Sequence, residues 1–132
     1  MIDIKLNGSI QKLNNQIVCP VELALRILGG KWRGSILYQL KDGALRFNEL
    51  KHRVQDAVVD YGDADNYLTN KVLSGHLKEL IDYQLIKKNN SDIENARYEL
   101  TEKGQSAIPI LIDLFYWGEE QFQLPNSNQL LK

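Results

Sequence analysis

Hydrophobic positions along the chain come in bursts, each with its own period. Val21, Leu23, Leu25, Ile27 and Leu28 follow Pro20 and give way to Gly29-Gly30, which predicts a short first helix with proline preset for its first turn. Trp32, Ile36, Leu37 and Leu40 then fall at spacings of four, one and three, the stripe of a second helix ending at Asp42-Gly43. A tight Gly-Gly turn joins the two. Ala44-Leu45-Arg46 is long enough only for a strand fragment, and Phe47, Leu50 and Val54 predict a short third helix. From Gln55 to Tyr67 no period is sustained and Gly62 sits among aspartates, the composition of an exposed loop.

Thr69 is placed to cap the next helix, since its hydroxyl can accept from a backbone N–H of the first turn. Leu73, Leu77, Leu80 and Gln84 advance by four, three and four, with Val72 and Ile81 flanking, so an amphipathic helix over 69–82 is predicted. Its other face carries Lys71, Gly75, Lys78 and Asp82, with Asn70 and Ser74 towards the start. Leu85 to Asn89 and Ala96 to Thr101, the second alternating Arg97 and Glu99 with Tyr98 and Leu100, predict a β-hairpin around a polar tip. Thr101-Glu102-Lys103-Gly104 opens a last helix with apolar residues on nearly all sides, which should pack against two bodies, the second being another copy of the chain. Pro109 should weaken or kink its first turns. The tail after Leu124 looks frayed. The fold class expected is mainly α with a small β-hairpin.

Composition bounds the function without naming it. With 132 residues, 43% apolar and 25% charged, the chain makes one ordinary globular domain, neither disordered nor collagen-like. One cysteine and two histidines, His52 and His76, exclude a disulfide framework and leave too few ligands for an all-protein zinc site, so neither metal nor cofactor is expected. The default setting is reducing and cytoplasmic. The most apolar stretch, Ala107 to Trp117, is interrupted by Pro109 and Asp113, and the first residues lack an apolar signal core, so neither membrane insertion nor export is expected.

A formal charge of -1 describes neither a basic nucleic-acid coat nor an acidic mimic. Along the chain, however, the charges segregate. Lys31, Arg33, Lys41, Arg46, Lys51 and Arg53 face only Asp42 and Glu49 in 31–53, and Lys71, Lys78, Lys87 and Lys88 face only Glu79 and Asp82 in 69–90. Between them, 54–68 holds Asp56, Asp60, Asp63 and Asp65 with no basic residue. Charges on solvated faces can produce the same distribution with no meaning for function.

The element order is that of a winged helix-turn-helix, in which the 69–82 helix enters a major groove with its N-terminal residues foremost and the hairpin lies over phosphates. Thr69, Asn70, Lys71, Ser74, Gly75, His76 and Lys78 are the candidates on the recognition helix, small or polar groups able to reach base edges, with lysines for phosphates or guanine acceptors. Arg46, Lys87, Lys88 and Arg97 are the candidates for the wing and backbone contacts. Fold order alone leaves open a winged-helix module that works through protein contacts, for which the near-neutral charge and acidic loop would also serve.

The motifs add a resemblance. Cys19-Pro20-Val21-Glu22, Gly29-Gly30-Lys31-Trp32, Arg46-Phe47-Asn48-Glu49-Leu50, Leu77-Lys78-Glu79-Leu80, Tyr98-Glu99-Leu100-Thr101-Glu102-Lys103-Gly104 and Trp117-Gly118-Glu119, in that order, resemble the HxlR family of MarR-like winged-helix transcription regulators. The likeness implies a winged domain over 19–118, an extension at 1–18, and a dimerisation helix whose end, with the tail, occupies 119–132. It implies a homodimer joined through terminal helices, reading double-stranded DNA with the helix at 69–82 and a wing at 85–100, and control of promoters near its own gene. The sequence departs from the family at 54–68, longer and more acidic than the link it resembles. Four aspartates beside DNA phosphates would be repelled, so this loop is expected to point away or to order itself elsewhere.

Several residues carry two readings. Cys19, just before a helix, is either a small buried hydrophobe or a thiol favoured as thiolate by the helix dipole. The resemblance implies the second, because some members sense oxidants or electrophiles with a cysteine at this place. His76 is read evenly as a DNA donor or a packed ring, and His52 as a surface residue. Gly75, which costs roughly 1 kcal/mol against alanine in a helix interior, reads as a place of close DNA approach or as drift. Ile108, Leu111, Leu114, Phe115, Trp117 and Phe122 are assigned to the dimer interface, and Trp32 and Tyr38 to core or interface. No serine, cysteine, histidine and carboxylate fall in a pattern that suggests a triad, so no enzyme is expected. The resulting expectation is a dimeric, sequence-specific repressor reading a pseudo-palindrome, with a small apolar molecule or an oxidant as effector.

Overall fold

Leu73, Leu77 and Leu80 share one side of a helix, and their burial there organises the core. A computed structural model of the chain describes residues 19–59, 67–90 and 95–122. The elements are α1 (Pro20–Leu28), α2 (Arg33–Gln39), α3 (Phe47–Val59), α4 (Asn70–Asp82), β1 (Ile86–Asn89), β2 (Arg97–Leu100) and α5 (Glu102–Phe122). Trp32, Ile36, Leu37 and Leu40 from α2 and its flanks meet Leu50 and Val54 of α3, the α4 leucines, Ile86, Leu100 and Ile108 in one buried cluster. The predicted stripe of α2, the Leu50 and Val54 positions of α3 and the α4 leucines therefore face the core. None of the described helices is long and apolar enough to cross a membrane.

The two strands pair antiparallel with Ile86 opposite Leu100, Lys87 opposite Glu99, Lys88 opposite Tyr98 and Asn89 opposite Arg97. The predicted strand fragment is a single bridge, Leu45 to Tyr98, closed by reciprocal backbone hydrogen bonds of 3.0 and 2.8 Å. This bridge fixes the hairpin against the start of α3. A Cβ at Gly104 would collide with the Leu85 carbonyl oxygen, so only glycine lets the first turn of α5 lie against the start of the hairpin. Thr101 caps that turn, accepting from the Gly104 N–H at 3.1 Å and donating to the Gln84 carbonyl at 2.6 Å. Gln84 itself lies past the end of α4, with φ 65, and turns the chain into β1 instead of extending the helical stripe.

One expectation needs revision. The third helix does not end near Val54 but runs to Val59, so Asp56 lies on its exposed surface and not in a loop. The rest of the expected acidic loop, with Asp60, Asp63 and Asp65, lies outside the described residues. Where the chain returns, the Leu68 N–H donates to Gln55 Oε1, tying the entry of α4 to α3 across the intervening segment. α5 runs as one helix through Pro109, which sits on its exposed side. The 1–18 extension, the hairpin tip 91–94 and the tail from 123 also lie outside the described residues.

Candidate nucleic-acid interface

The N-terminal end of α4 is built to project. Thr69 is extended, at φ -78 and ψ 159, and its Oγ1 accepts from the Val72 N–H at 3.1 Å, which closes an exposed first turn. Asn70, Lys71, Ser74, Gly75 and Lys78 are all exposed. A Cβ at Gly75 would meet nothing within 4 Å, so within the protomer its space is open. Val72 joins this surface at 40% exposure, although its apolar character suggested the inner face. A methyl-bearing side chain there can meet a thymine methyl, a role that charge and polarity did not flag.

The wing separates its two lysines. Because faces alternate along a strand, Lys88 and Tyr98 lie on the side that also carries buried Ile86, while Lys87 and Glu99 lie on the other. Lys88 Nζ stands 5.8 Å from the Tyr98 ring centroid and borders a hollow shared with Ser74, Lys78 and Asp82 of α4. Lys87 is instead paired with Glu99 at 3.0 Å, and that hydrogen bond holds the Glu99 carboxyl below the usual range. Lys88 and Arg97 also line a groove of about 840 Å³ with Arg46, Phe47 and Asn48, where the start of α3 meets the hairpin. Three of the four predicted backbone cations thus converge. Arg46 is held there by its own N–H, which donates to Glu49 Oε1 at 3.1 Å.

His76 departs from the other helix candidates. Its ring is half-buried on the inner edge of α4, where Nδ1 accepts from Arg33 Nε at 3.1 Å. Burial, and then the Arg33 charge, push its pKa below the usual value. His76 is therefore turned to the protomer and away from the surface formed by Asn70, Ser74 and Lys78. Sequence reading counts Arg33 only as part of a basic segment, yet among the described residues it is the charged side chain that is buried. It also pairs with Glu79 and donates to the carbonyls of Ile27 at 3.2 Å and Arg26 at 3.5 Å.

The HxlR-like helix-turn-helix family model matches residues 27–125, spanning every element of this interface. The chain belongs to the HxlR-like helix-turn-helix family. It is 37% identical over 108 residues to an HTH-type transcriptional regulator of Methanothermobacter thermautotrophicus, covering 80% of this chain and 74% of that protein. Among solved structures it is similar to the redox regulator HypR in its oxidized form, at 31% identity and TM-score 0.61, covering 77% of this chain and 96% of the other. It is also similar to a transcriptional regulator of the MarR family from Porphyromonas gingivalis W83, at 26% identity and TM-score 0.62, covering 90% and 98%. The protein is accordingly a transcription regulator with a helix-turn-helix DNA-binding fold of the winged, MarR-like type, and not an enzyme.

Away from the wing, this HxlR-like regulator exposes a second kind of surface. Ile110, Leu114, Phe115, Tyr116, Trp117 and Phe122 of α5 are exposed, as are Val21 and Leu25 of α1. Ile108 does not belong with them: with Gly104 and Ala107 it is buried on the inner stripe of α5, packed into the protomer's own core. Leu111, three residues on, is only half-covered. Trp32 is buried, whereas Tyr38 is exposed beneath Lys41, whose Nζ lies 4.9 Å from its ring. Cys19 is exposed at the N-cap of α1, so its small-buried-hydrophobe reading does not describe this protomer. Among the described residues no group of three or more histidines, cysteines and carboxylates could hold a metal.

Proposed function

We propose that the protein is a homodimeric repressor that reads a pseudo-palindromic operator, with α4 in the major groove of each half-site and the hairpin over adjacent phosphates. The observation that carries this reading is that Lys88 joins two surfaces, a hollow shared with Ser74 and Lys78 of the exposed, polar α4 face and a groove shared with Arg46 and Arg97. Thr69, Asn70, Lys71, Ser74, Gly75 and Lys78, joined by Val72, are the groove-facing set. Lys87 contributes less than Lys88 because Glu99 already neutralises it. Two copies meet through Leu111, Leu114, Phe115, Trp117 and Phe122, together with Val21 and Leu25, since an apolar surface of that size favours removal from water. Half-sites about one helical turn apart then face the two recognition helices.

Selection of bound sequences from random DNA, followed by gel shift of the selected duplex at rising salt, tests this. A pseudo-palindrome retarded in a salt-dependent way is expected, whereas retention of no sequence, with capture of a protein instead, would assign the fold to protein contacts. Oxidant control forms a second layer of the reading, supported by the exposed Cys19 and by the likeness to a redox regulator. Release of the operator by diamide or a quinone should vanish in Cys19→Ser; release that persists in that variant removes the thiol from the mechanism.

A further inference from the structure

Arg33 stands where three parts of the molecule come together. It opens α2, its side chain is 10% exposed, and its guanidinium reaches in three directions. Towards α1 it donates to the Arg26 and Ile27 carbonyls. These belong to the last turn of that helix, where carbonyls have no intrahelical partner and carry the negative end of the dipole. Towards α4 it donates to His76 Nδ1 and pairs with the Glu79 carboxylate. Its flat face lies 5.7 Å from the ring centroid of Tyr83, the residue that ends α4. A planar group with five donors can serve all of these at once; an ammonium cannot.

We propose that Arg33 is a positioning residue that couples α1 to the recognition helix, fixing the angle at which α4 is presented according to where α1 is held. None of its contacts is on the groove-facing surface, so it acts on DNA only through α4. The two linked elements are the ones on which the proposed function depends, since α1 bears the exposed Val21 and Leu25 and α4 bears the groove-facing residues. The coupling thus rests on that reading and deepens it: displacement of α1, by loss of the partner copy or by chemistry at Cys19, is felt at α4 through one side chain.

The test uses Glu79→Gln, because that side chain is 54% exposed and its replacement leaves the core filled, alongside Arg33→Lys, which keeps the charge. Affinity for the selected duplex should fall about tenfold in Arg33→Lys and about threefold in Glu79→Gln, with affinity for random DNA changed less than about twofold in both. A parallel loss on both DNAs, or no loss on either, overturns the proposal. Hydrogen exchange of the free protein gives a readout independent of DNA. Glu79→Gln should speed exchange at the Ile27 to Gly29 amides of the α1 end, some fifty residues away in sequence, as well as in α4. Faster exchange confined to α4 overturns the coupling. Should the unmodified protein select no sequence at all, the operator reading fails, and the exchange result alone decides for or against Arg33.

Discussion

Both α4 and α5 turn one side to the core and leave the other uncovered, but they leave opposite chemistries in the open. On α4 the uncovered side is short and polar, with Asn70, Lys71, Ser74, Gly75 and Lys78 around Val72. On α5 it is long and apolar, with Trp117 58% and Phe122 66% exposed. Water satisfies the first without penalty and is ordered unfavourably by the second. One surface is therefore stable alone and ready for a polar, exchangeable partner; the other is complete only when an apolar body covers it. The proposed dimeric operator-binder, which must leave its operator but stay assembled, needs both kinds.

The sharpest way to break this contrast is to put a charge into the α5 surface. Trp117→Glu buries one carboxylate per copy in the proposed interface, and loss of such an aromatic anchor should weaken self-association about a hundredfold or more. Sedimentation velocity should then show a monomer. Operator affinity should fall by a similar factor, because two linked half-site contacts become one. A Trp117→Glu protein that sediments as a dimer and holds its operator would remove α5 from the interface.

Changes on α4 should do the converse, leaving assembly alone while altering what is read. Asn70→Ala or Ser74→Ala should relax the preference at one base pair by about 1 to 3 kcal/mol, seen as a changed position in the selected sequence. Gly75→Ala is more discriminating. Its Cβ would meet nothing in the free protein, so folding stability should rise by roughly 1 kcal/mol from helix propensity alone. A simultaneous loss of operator affinity would mean that DNA approaches the backbone there; unchanged affinity would return Gly75 to a neutral surface position.

Most of this contrast was legible in the sequence, for reasons that mark where legibility stops. Periodicity exposed the α4 leucines, and the Thr69 cap and the hairpin alternation located the start of α4 and the hairpin. These are local signals, each carried within a dozen residues. Arg33 was invisible to them because its partners are Arg26, Ile27, His76 and Glu79, and only the folded chain brings positions 33 and 76 together. Ile108 was misplaced because a helix apolar on most sides does not reveal which stripe faces its own core. The wing lysines looked alike until pairing put Lys87 against Glu99 and Lys88 beside α4. That difference gives a smaller prediction. Lys88→Ala should lower the salt slope of binding by about 0.9, one phosphate's worth, and Lys87→Ala by clearly less. Equal slopes in the two variants would mean that strand register does not decide which lysine meets the backbone.

The smallest effect lies at the edge of the α4 surface, where the outer side gives way to the inner. His76 is held below its usual pKa, by burial first and by the Arg33 charge second, so in the folded protein it stays neutral to lower pH than it does in the unfolded chain. Neutrality is also what the geometry requires, since Nδ1 can accept from Arg33 Nε only without a proton. Well above the ordinary value of about 6.5 the ring is unprotonated in both states and His76 adds no pH dependence. As pH falls below it, the unfolded chain is protonated first and stability is lost progressively, until the folded ring titrates as well. The thermal midpoint should therefore drop between pH 7.5 and pH 5 by more in the natural protein than in His76→Gln, whose side chain cannot titrate. If both drop by the same amount, protonation of His76 is not coupled to folding, and the inner boundary of the α4 surface must be set by Arg33 and Glu79 without it.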